Sequence, residues 1–311
     1  MAAKPNELEI VRVYDAPVKL VWEAFTDLKH QVNWWGPRGF TITTKSKDLR
    51  PGGKWIYTMH GPDGVDYPNI ATYHEVVPYE RLVYDHGGNE ERQKLFTVTV
   101  TFKEELGKTI MVMLMALDTP EAAKEIKKFI KIANGNSTWD RLGEYLEHEI
   151  TGKDPFIINR TFDAPQAKVF EMWTDVKHLS KWLPPKGFNM ELISGDIKTG
   201  KTAFYSMSNG EFTMYGKSHY LDINPITRIM FTQEFADKDG NPAKHPGAPT
   251  WPSQMISTVE FATEGPNLTR VTLKTEVHGQ ATAEERKAFH DEKSGMMMGW
   301  TGSFDKLEEL I

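Results

Sequence analysis

The amino-acid sequence predicts an α+β fold in two tandem domains, each with one antiparallel sheet of about seven strands and a long C-terminal helix. The first observation behind this prediction is a duplication. Residues 14–40 align without a gap with residues 162–188, and 13 of the 27 positions are identical. The second observation is the order of strand and helix patterns, which is the same in both halves. The repeat is too long for a solenoid unit and matches one small domain.

The composition sets limits on the classes of function. Hydrophobic residues make up 39% and charged residues 26% of the chain, as in globular proteins. Residues 1–150 hold 19 basic and 22 acidic side chains, and residues 151–311 hold 18 and 21, so each half carries about −3. Neither half resembles a binder of polyanions, and we expect no nucleic-acid partner. The absence of cysteine excludes disulfides, thiolate metal sites and a cysteine nucleophile.

The sequence shows no targeting or membrane signal. The first ten residues, MAAKPNELEI, lack the apolar core of a signal peptide. No apolar run approaches the length that a membrane span needs. We therefore expect a cytoplasmic protein without a membrane partner.

The first strand and two short helices open each copy. Residues 8–14 alternate between apolar and polar side chains, as a half-buried strand does. Asp15 then offers a side-chain acceptor and Pro17 fits a first helical turn, so a helix is predicted to start here. A second short helix holds His30 and ends near Trp34 and Trp35.

Six strands follow in the first copy, and a long helix closes it. The segments are rich in β-branched and aromatic residues, and Gly and Pro separate them: 40–46, 54–60, 69–77, 81–86, 95–103 and 109–117. The long helix is predicted to begin at Thr119 and to reach residue 146. In the second copy, Thr282 and Glu285 are spaced as a capping box before a helix that reaches residue 310. Gly135 is expected to kink or break the first of these helices.

The predicted linker is the polar segment 147–155, EHEITGKDP, which contains Gly and Pro. It divides the chain into domains 1–150 and 151–311.

Several motifs in this order resemble the START-like superfamily (also called SRPBCC or Bet v-like). More closely, the sequence resembles the family related to activators of the ATPase of the ninety-kilodalton heat-shock protein. In the first copy the resemblance rests on the segments DAP at 15–17, VWEAFTD at 21–27, WWGP at 34–37, PGGKW at 51–55 and PYERLV at 78–83. In the second copy it rests on DAP at 163–165, Thr174-Asp175, Trp182, Gly299-Trp300 and Leu307.

The resemblance implies a helix-grip fold, in which a curved sheet wraps the C-terminal helix around a cavity. Such cavities bind apolar or amphipathic small molecules, and in some members they are collapsed. The superfamily includes ligand carriers, enzymes such as cyclases, and co-chaperones, so the fold alone leaves the function open.

Differences between the copies favour the second domain as the working one. Trp55, Tyr57 and Met59 share one strand face and align with Ala203, Tyr205 and Met207. If that face points inward, Ala203 leaves space that Trp55 fills. The last helix contains Met296, whose flexible side chain can adapt to a ligand, and the large aromatic ring of Trp300. The expected ligand-binding residues are therefore Ala203, Tyr205, Met207, Tyr215, His219, Met296 and Trp300.

Two further segments differ between the copies. Residues 109–117 are apolar on both strand faces, so Ile110, Val112 and Leu114 are expected to contact the other domain or another subunit. The insertion at 236–253 holds four prolines and Trp251, which is expected to be exposed. It is either a stiff flap near a cavity mouth or a passive hairpin extension.

The titratable residues form no recognisable catalytic or metal-binding motif, and no metal ion or cofactor is expected. His30 and His178 match across the copies and are expected on the surface. Glu276 and His278, with His219 and Lys274, are the strongest acid–base candidates, but a polar outward face is the better interpretation of that strand. The catalytic residues are therefore unknown.

Three functions remain open from the sequence. Binding of an apolar or amphipathic small molecule, most of all in the second domain, is favoured because the fold offers a cavity. An enzyme that uses the cavity for proton transfer, cyclase-like or hydrolase-like, is the second. A co-chaperone-like module with a chaperone partner is the third.

Overall fold

The computed structural model describes residues 4–89, 92, 94–132 and 136–311. The chain divides into two compact units, Met1–Lys153 and Asp154–Ile311, called unit 1 and unit 2 below. The division falls close to the predicted domain boundary at residue 150.

Unit 1 follows the predicted order of strand, two helices and six strands. Its elements are β1 (Glu7–Tyr14), α1 (Val18–Thr26), α2 (Leu28–Gln31), β2 (Thr41–Lys47), β3 (Lys54–His60), β4 (Asp66–Val77), β5 (Arg81–Gly88), β6 (Phe96–Glu105), β7 (Lys108–Ala116), α3 (Pro120–Ile132) and α4 (Ser137–Thr151).

Unit 2 repeats this order. Its elements are β8 (Phe156–Phe162), α5 (Gln166–Thr174), α6 (Val176–Trp182), β9 (Asn189–Gly195), β10 (Thr202–Ser208), β11 (Thr213–Asn224), β12 (Arg228–Ala236), β13 (Gln254–Gly265), β14 (Leu268–Val277), α7 (Ala283–Asp291) and α8 (Lys293–Leu310).

Each unit holds one seven-stranded antiparallel sheet. The strand orders are β1-β7-β6-β5-β4-β3-β2 and β8-β14-β13-β12-β11-β10-β9, so the first strand of each unit pairs with the last. Successive strands after the first are neighbours, and the insertion at 236–253 forms the connection between β12 and β13. The predicted fold class, two tandem α+β domains with a sheet of seven strands, is confirmed.

The start of α1 differs from the prediction in one detail. Pro17 is the N-cap residue, and the backbone N–H of Val18 donates to Oε2 of Glu104 at 2.8 Å. Asp15 forms an ion pair with Lys108 instead, with 2.6 Å between Oδ1 and Nζ. The carboxylate that accepts a hydrogen bond from the N-terminus of α1 therefore belongs to Glu104 of β6. In unit 2, the predicted capping box of Thr282 and Glu285 is confirmed.

The C-terminal helical segment of each unit consists of two helices, where the sequence predicts one. In unit 1, α3 ends at Ile132 and α4 begins at Ser137. The predicted break at Gly135 lies outside the described residues. In unit 2, the interruption falls at Glu292, which has φ −89° and ψ 5° between α7 and α8. The predicted linker is also mostly helical, because α4 continues to Thr151 and Gly152 ends it with φ 69°.

The inward faces of the sheets build one hydrophobic core in each unit. Met111, Met113 and Met115 all face the core of unit 1. The tryptophans of α1 and β3 belong to the same core and are more than nine-tenths buried. In unit 2, Phe304 and Leu307 of α8 are completely buried against the sheet. None of the described helices is long and apolar enough to span a membrane.

Candidate functional site

Unit 2 holds a cavity between its sheet and helices α5, α6 and α8. Its cavity volume is about 30 Å³, within about 550 Å³ of space between atoms that includes open solvent. The corresponding cavity in unit 1 measures about 10 Å³, within about 220 Å³ of such space. The cavity in unit 2 is lined by fifteen side chains, most of them apolar: Trp173, Val176, Leu179, Leu183, Met190, Leu192, Ile197, Ala203, Tyr205, Ser218, Tyr220, Ile229, Phe231, Gln233 and Trp300.

One cross-strand pair accounts for much of the difference between the units. In unit 1, Lys47 of β2 pairs with Trp55 of β3. In unit 2, Gly195 of β9 pairs with Ala203 of β10 at the same place in the sheet. Trp55 is only 2% exposed, and its ring stacks on Tyr57 with the centroids 3.9 Å apart. A large aromatic ring and a long side chain in unit 1 thus correspond to a methyl group and a hydrogen in unit 2.

Lys47 is held against the cavity wall of unit 1. Its Nζ donates to the backbone oxygen of Thr26 at 2.6 Å and to Oε1 of Gln31 through a short hydrogen bond. The ammonium lies 4.6 Å from the centroid of the Trp55 ring. Burial lowers the pKa of Lys47 to about 7, against the opposing attraction of Asp27. Lys47 and Trp55 therefore together fill the space in unit 1 that corresponds to the cavity of unit 2.

The backbone of Gly195 leaves no room for a side chain. Its φ is +92°, and a Cβ atom at this position would lie 1.7 Å from the backbone oxygen of Thr202. The register between β9 and β10 also shifts beside this pair, between Phe204 and Tyr205. Gly195 is thus the residue that the local bulge requires.

Three of the seven residues predicted for the site line this cavity. They are Ala203 and Tyr205 on β10 and Trp300 on α8. Met207 lies further along the same face of β10, and Met296 packs against the core of unit 2; neither is part of the lining. That any of these residues binds a ligand remains a prediction.

Tyr215 and His219 were expected in the cavity, and the structure places them elsewhere. The inward positions of β11 are Gly216, Ser218 and Tyr220, so the odd-numbered residues between them face outward. His219 is exposed, and its Nδ1 forms a 3.0 Å hydrogen bond with the hydroxyl of Thr202. The prediction assumed that Tyr215 and His219 face inward on β11, and this is wrong, because the even-numbered residues of this stretch face inward.

The helical side of the cavity is aromatic. The indole rings of Trp173 and Trp300 are stacked, with 5.9 Å between centroids and 14° between planes. Trp300 also packs on Phe304, with the centroids 5.6 Å apart. Trp300 is half-buried, whereas Trp173 is 4% exposed.

The sheet side carries a polar cluster of which sequence analysis found only Tyr205. The side chains of Ser218 and Gln233 lie beside the phenol of Tyr205, and they oppose the rise in its pKa that burial causes. Behind them, Oγ of Ser257 bonds to Oε1 of Gln233 at 3.1 Å and to Oγ1 of Thr275 at 2.9 Å. We call this set the polar wall: Tyr205, Ser218, Gln233, Ser257 and Thr275.

The strand pairing shows that much of the polar wall is specific to unit 2. Ser218 pairs with Ala203, as Ala71 pairs with Trp55 in unit 1. By the same comparison, the cross-strand pair Ser257–Thr275 of unit 2 takes the place of the pair Val98–Met115 of unit 1. A structure-based alignment of the two copies is the signal that would have found these residues.

None of the described residues that line the cavity carries a charge. Its titratable groups are Tyr205 and Tyr220, and burial raises the pKa of both phenols. They therefore stay protonated near neutral pH and act as hydrogen-bonding groups. The acid–base candidates Glu276 and His278 do not belong to the lining. Among the described residues, no three His, Asp or Glu side chains are grouped to hold a metal ion.

The insertion in unit 2 packs on helix α7. Trp251 contacts Phe289, with 5.8 Å between ring centroids, and Nζ of Lys244 donates to Oε1 of Glu285 at 2.5 Å. Trp251 is therefore half-buried, where the sequence predicted an exposed side chain.

The outer face of β7 in unit 1 is apolar, as the sequence indicates. Ile110, Val112 and Leu114 are half-buried, and Val13 of the neighbouring β1 is exposed beside Ile110. A contact with another domain or subunit through this face remains a prediction.

Solved structures resemble the chain at low identity. A protein from Nitrosomonas europaea is 24% identical, with 48% of this chain and 99% of that chain covered and a TM-score of 0.44. An AHSA1 protein from Silicibacter pomeroyi is 18% identical, with 50% and 95% covered and a TM-score of 0.39. A di-domain ARO/CYC protein, BexL from the BE-7585A biosynthetic pathway, is 14% identical, with 97% of both chains covered and a TM-score of 0.40.

A comparison with curated proteins returned no match. The family model described as "Activator of Hsp90 ATPase homolog 1-like protein" matches residues 15–147 and again residues 163–311. The two matches cover one unit each and together most of the chain. The chain therefore belongs to the family of activator of Hsp90 ATPase homolog 1-like proteins, of which it contains two tandem copies.

Proposed function

We propose that unit 2 binds a neutral, mostly apolar small molecule in the cavity between its sheet and α8. The observation that carries this proposal is the replacement of the Lys47–Trp55 pair by Gly195–Ala203, which leaves unit 2 with the larger free space. A mostly apolar lining with a few hydrogen-bonding groups on one side is typical of small-molecule sites.

Binding is favoured over proton-transfer chemistry because of the groups that face the cavity. A general acid or base needs a pKa near the working pH and must reach the reacting atom. The lining offers phenols with raised pKa values and no carboxylate or imidazole among the described residues. Burial lowers the pKa of His86 in unit 1 to about 4, but this ring stacks on Phe96 and lies outside the lining of either cavity.

The first test is a titration with the neutral fluorescent probe N-phenyl-1-naphthylamine. We expect saturable binding to the wild-type chain and at least tenfold weaker binding to Ala203→Trp, which restores the indole that fills unit 1. Ala262→Trp is the matched control, because Ala262 lies on β13 of the same sheet and pairs with Arg270, away from the lining. This control variant should bind the probe like wild type.

A charged analogue of the same probe tests whether the site prefers neutral ligands. 8-Anilino-1-naphthalenesulfonate has the same two ring systems and one sulfonate group. We expect it to bind unit 2 more weakly, because no cation lines the cavity to offset the loss of its hydration. Equal loss of probe binding in Ala203→Trp and Ala262→Trp, or no binding to wild type, would remove the proposal.

A further inference from the structure

Gln233 of β12 brings a side-chain amide to the cavity of unit 2. The residue lines the cavity and is half-buried. Its Oε1 accepts a hydrogen bond from Oγ of Ser257 at 3.1 Å. Its Nε2 has no hydrogen bond of ordinary length and angle to a described residue, and it is not among the described side-chain atoms that are sealed from solvent without a partner. The amide nitrogen is therefore accessible, on the face of β12 that borders the cavity.

Two buried hydroxyl groups fix which end of the amide faces the cavity. Ser257 is 0% exposed, Thr275 is 3% exposed, and neither belongs to the lining. Ser257 has one hydroxyl proton and donates it to Oε1 of Gln233, so the 2.9 Å bond between Ser257 and Thr275 uses the proton of Thr275. With its oxygen engaged in this way, Gln233 presents the two N–H groups of Nε2 on its other side. An amide nitrogen only donates, so this position calls for an acceptor.

The other polar groups of the lining do not choose between donors and acceptors. Ser218 and Tyr205 carry hydroxyl groups, which rotate and can donate or accept as a ligand requires. The phenol of Tyr205 lies beside Gln233. Even if it accepted one N–H of Nε2, the second N–H would remain for a ligand. Gln233 is therefore the lining residue that gives the site a fixed preference.

Unit 1 lacks this arrangement. On β5 and β6, Tyr84 pairs with Val98 and His86 with Phe96; on β12 and β13, Phe231 pairs with Ser257 and Gln233 with Met255. His86 thus stands where unit 2 has Gln233, outside the lining of the cavity in unit 1. The pair Val98–Met115, in place of Ser257–Thr275, offers no hydroxyl group. The amide and the two hydroxyls that orient it occur together in the unit with the larger cavity.

We propose that the ligand of unit 2 is a neutral compound with an acceptor oxygen of the carbonyl type, and that this oxygen accepts a hydrogen bond from Nε2 of Gln233. This inference rests on the proposed function and adds the chemical class of the ligand and the residue that selects it. The apolar part of the ligand lies against Leu179, Leu183 and Leu192 of α6 and β9. Because β9 and β12 lie on opposite sides of β10 and β11, the polar and apolar ends of the lining are separated.

The test uses three bicyclic probes of similar size, which compete with N-phenyl-1-naphthylamine. The probe 1-indanone carries an acceptor oxygen, indane carries no polar group, and indole carries an N–H that only donates. Gln233→Met removes the amide at nearly constant size. We expect it to lower the affinity for 1-indanone, relative to that for indane, by about three- to tenfold, the effect of one net hydrogen bond. The affinity for indole relative to indane should not fall.

Two further variants test the position of the amide. Gln254→Met is the matched control, because Gln254 lies on the neighbouring strand β13 outside the lining, and it should keep the wild-type ratio. Ser257→Ala removes the bond that orients Gln233 and should lower the preference for 1-indanone as well. In a chain that already carries Gln233→Met, Ser257→Ala should not change the ratio further. A purely structural role of Ser257 would lower the affinity for 1-indanone and indane alike.

Infrared spectroscopy of the bound carbonyl supplies a readout on the wild-type chain, whether or not the variants fold. Difference spectra between ¹²C- and ¹³C-labelled 1-indanone isolate the carbonyl band. A hydrogen bond lowers its frequency, so we expect a lower value in the wild-type complex than in hexane. The frequency should rise in the complex with Gln233→Met.

The outcomes separate this inference from the proposed function. If N-phenyl-1-naphthylamine binds, but the bound carbonyl absorbs as it does in hexane, the acceptor class is wrong and the cavity still binds. A low frequency that Gln233→Met leaves unchanged would assign the bond to another residue and overturn the role of Gln233. A preference for indole that Gln233→Met abolishes would show that the amide faces the cavity with its oxygen, which also overturns it. If N-phenyl-1-naphthylamine fails to bind wild type, the proposed function falls and this inference falls with it.

Discussion

The phenol of Tyr205 lies across Gly216 of the neighbouring strand. A Cβ atom at Gly216 would be 2.7 Å from the Tyr205 hydroxyl oxygen and 2.8 Å from Cζ, so the ring occupies the place of a side chain. We expect Gly216→Ala to push the phenol out of the polar wall and to lower the free energy of unfolding of unit 2 by about 1–3 kcal/mol. Chemical denaturation and the affinity for N-phenyl-1-naphthylamine measure this. Unchanged stability and affinity would contradict the packing described.

Gly299→Ala should have the opposite effect on stability. Gly299 lies within α8 next to Trp300, is exposed, and has open space around its Cα. Alanine in a helix interior is more favourable than glycine by about 0.5–1 kcal/mol. We expect a gain of that size in the free energy of unfolding with unchanged probe binding. A loss of stability would show that the helix needs the glycine for a contact that the structure lacks.

The stability of unit 1 should depend on pH through Lys47. Burial lowers its pKa to about 7 in the folded state, from 10.5, the ordinary value of a lysine. The unfolded chain therefore binds the proton more tightly, and stability rises with pH between about 7 and 10. Below about pH 7 both states bind the proton, so this contribution no longer changes with pH.

Denaturation curves at pH 6 to 9.5 measure this slope for wild type and two variants. We expect Lys47→Met to flatten the rise of stability with pH. Lys45→Met is the matched control, because Lys45 is exposed on the same strand, and it should keep the wild-type slope. Equal slopes in all three proteins would mean that Lys47 is ionised in the folded state as freely as in the unfolded chain.

Asp154 should anchor the start of unit 2 to its helices. Its carboxylate accepts from Nζ of Lys293 at 2.6 Å and from Nδ1 of His290 at 2.7 Å. Lys293 is 6% exposed, so this ion pair involves an almost fully buried side chain. Burial raises the pKa of Asp154, but the hydrogen bonds and charges of Lys293 and His290 outweigh it and lower the pKa.

Because the pKa of Asp154 is lowered in the folded state, its contribution is complete above the ordinary range of an aspartate and is lost as the pH falls. We expect Asp154→Asn to cost about 1–3 kcal/mol at pH 7, a range reduced because the carboxylate is 41% exposed. Asp196→Asn, which breaks an exposed pair with Lys198, is the control and should cost much less than Asp154→Asn. Equal costs at pH 7 would refute the anchoring role.

The apolar outer face of β7 gives a prediction about assembly. Unit 2 has Lys274 where unit 1 has Leu114, as the matching of Leu273 to Met113 in the two sheets shows. Leu114→Lys therefore places on unit 1 the residue that unit 2 tolerates. If the face is covered in the native protein, this variant lowers the melting temperature or the molar mass measured by light scattering. A variant identical to wild type in both would show that the face is solvent-exposed.

Sequence reasoning was most successful where the two copies align without gaps. The duplication, the strand order and the contrast between Trp55 and Ala203 all lie within or next to the aligned segment, and the structure places that contrast in the cavity. Alternating patterns also located the strands closely, because half-buried strands of an antiparallel sheet show their period directly.

The misplacement of His219 has a simple geometric cause. The turn between β10 and β11 is one residue shorter than the turn between β3 and β4, so the copies shift by one residue at this point. A constant offset of 148 residues would align His219 with Ala71, whereas strand pairing matches Ala71 with Ser218. A shift of one residue turns every later side chain to the other face of the sheet. The same shift hid Ser218.

Gly195 makes the difference between the two units hard to remove by single substitutions. Any L-residue at this position would carry a Cβ atom 1.7 Å from the backbone oxygen of Thr202, on a backbone with φ +92°. A lysine like Lys47 therefore cannot be placed at this position of unit 2 by one substitution, because the chain around the bulge would have to change path first. Ala203→Trp alone would place an indole there without the ammonium that accompanies Trp55.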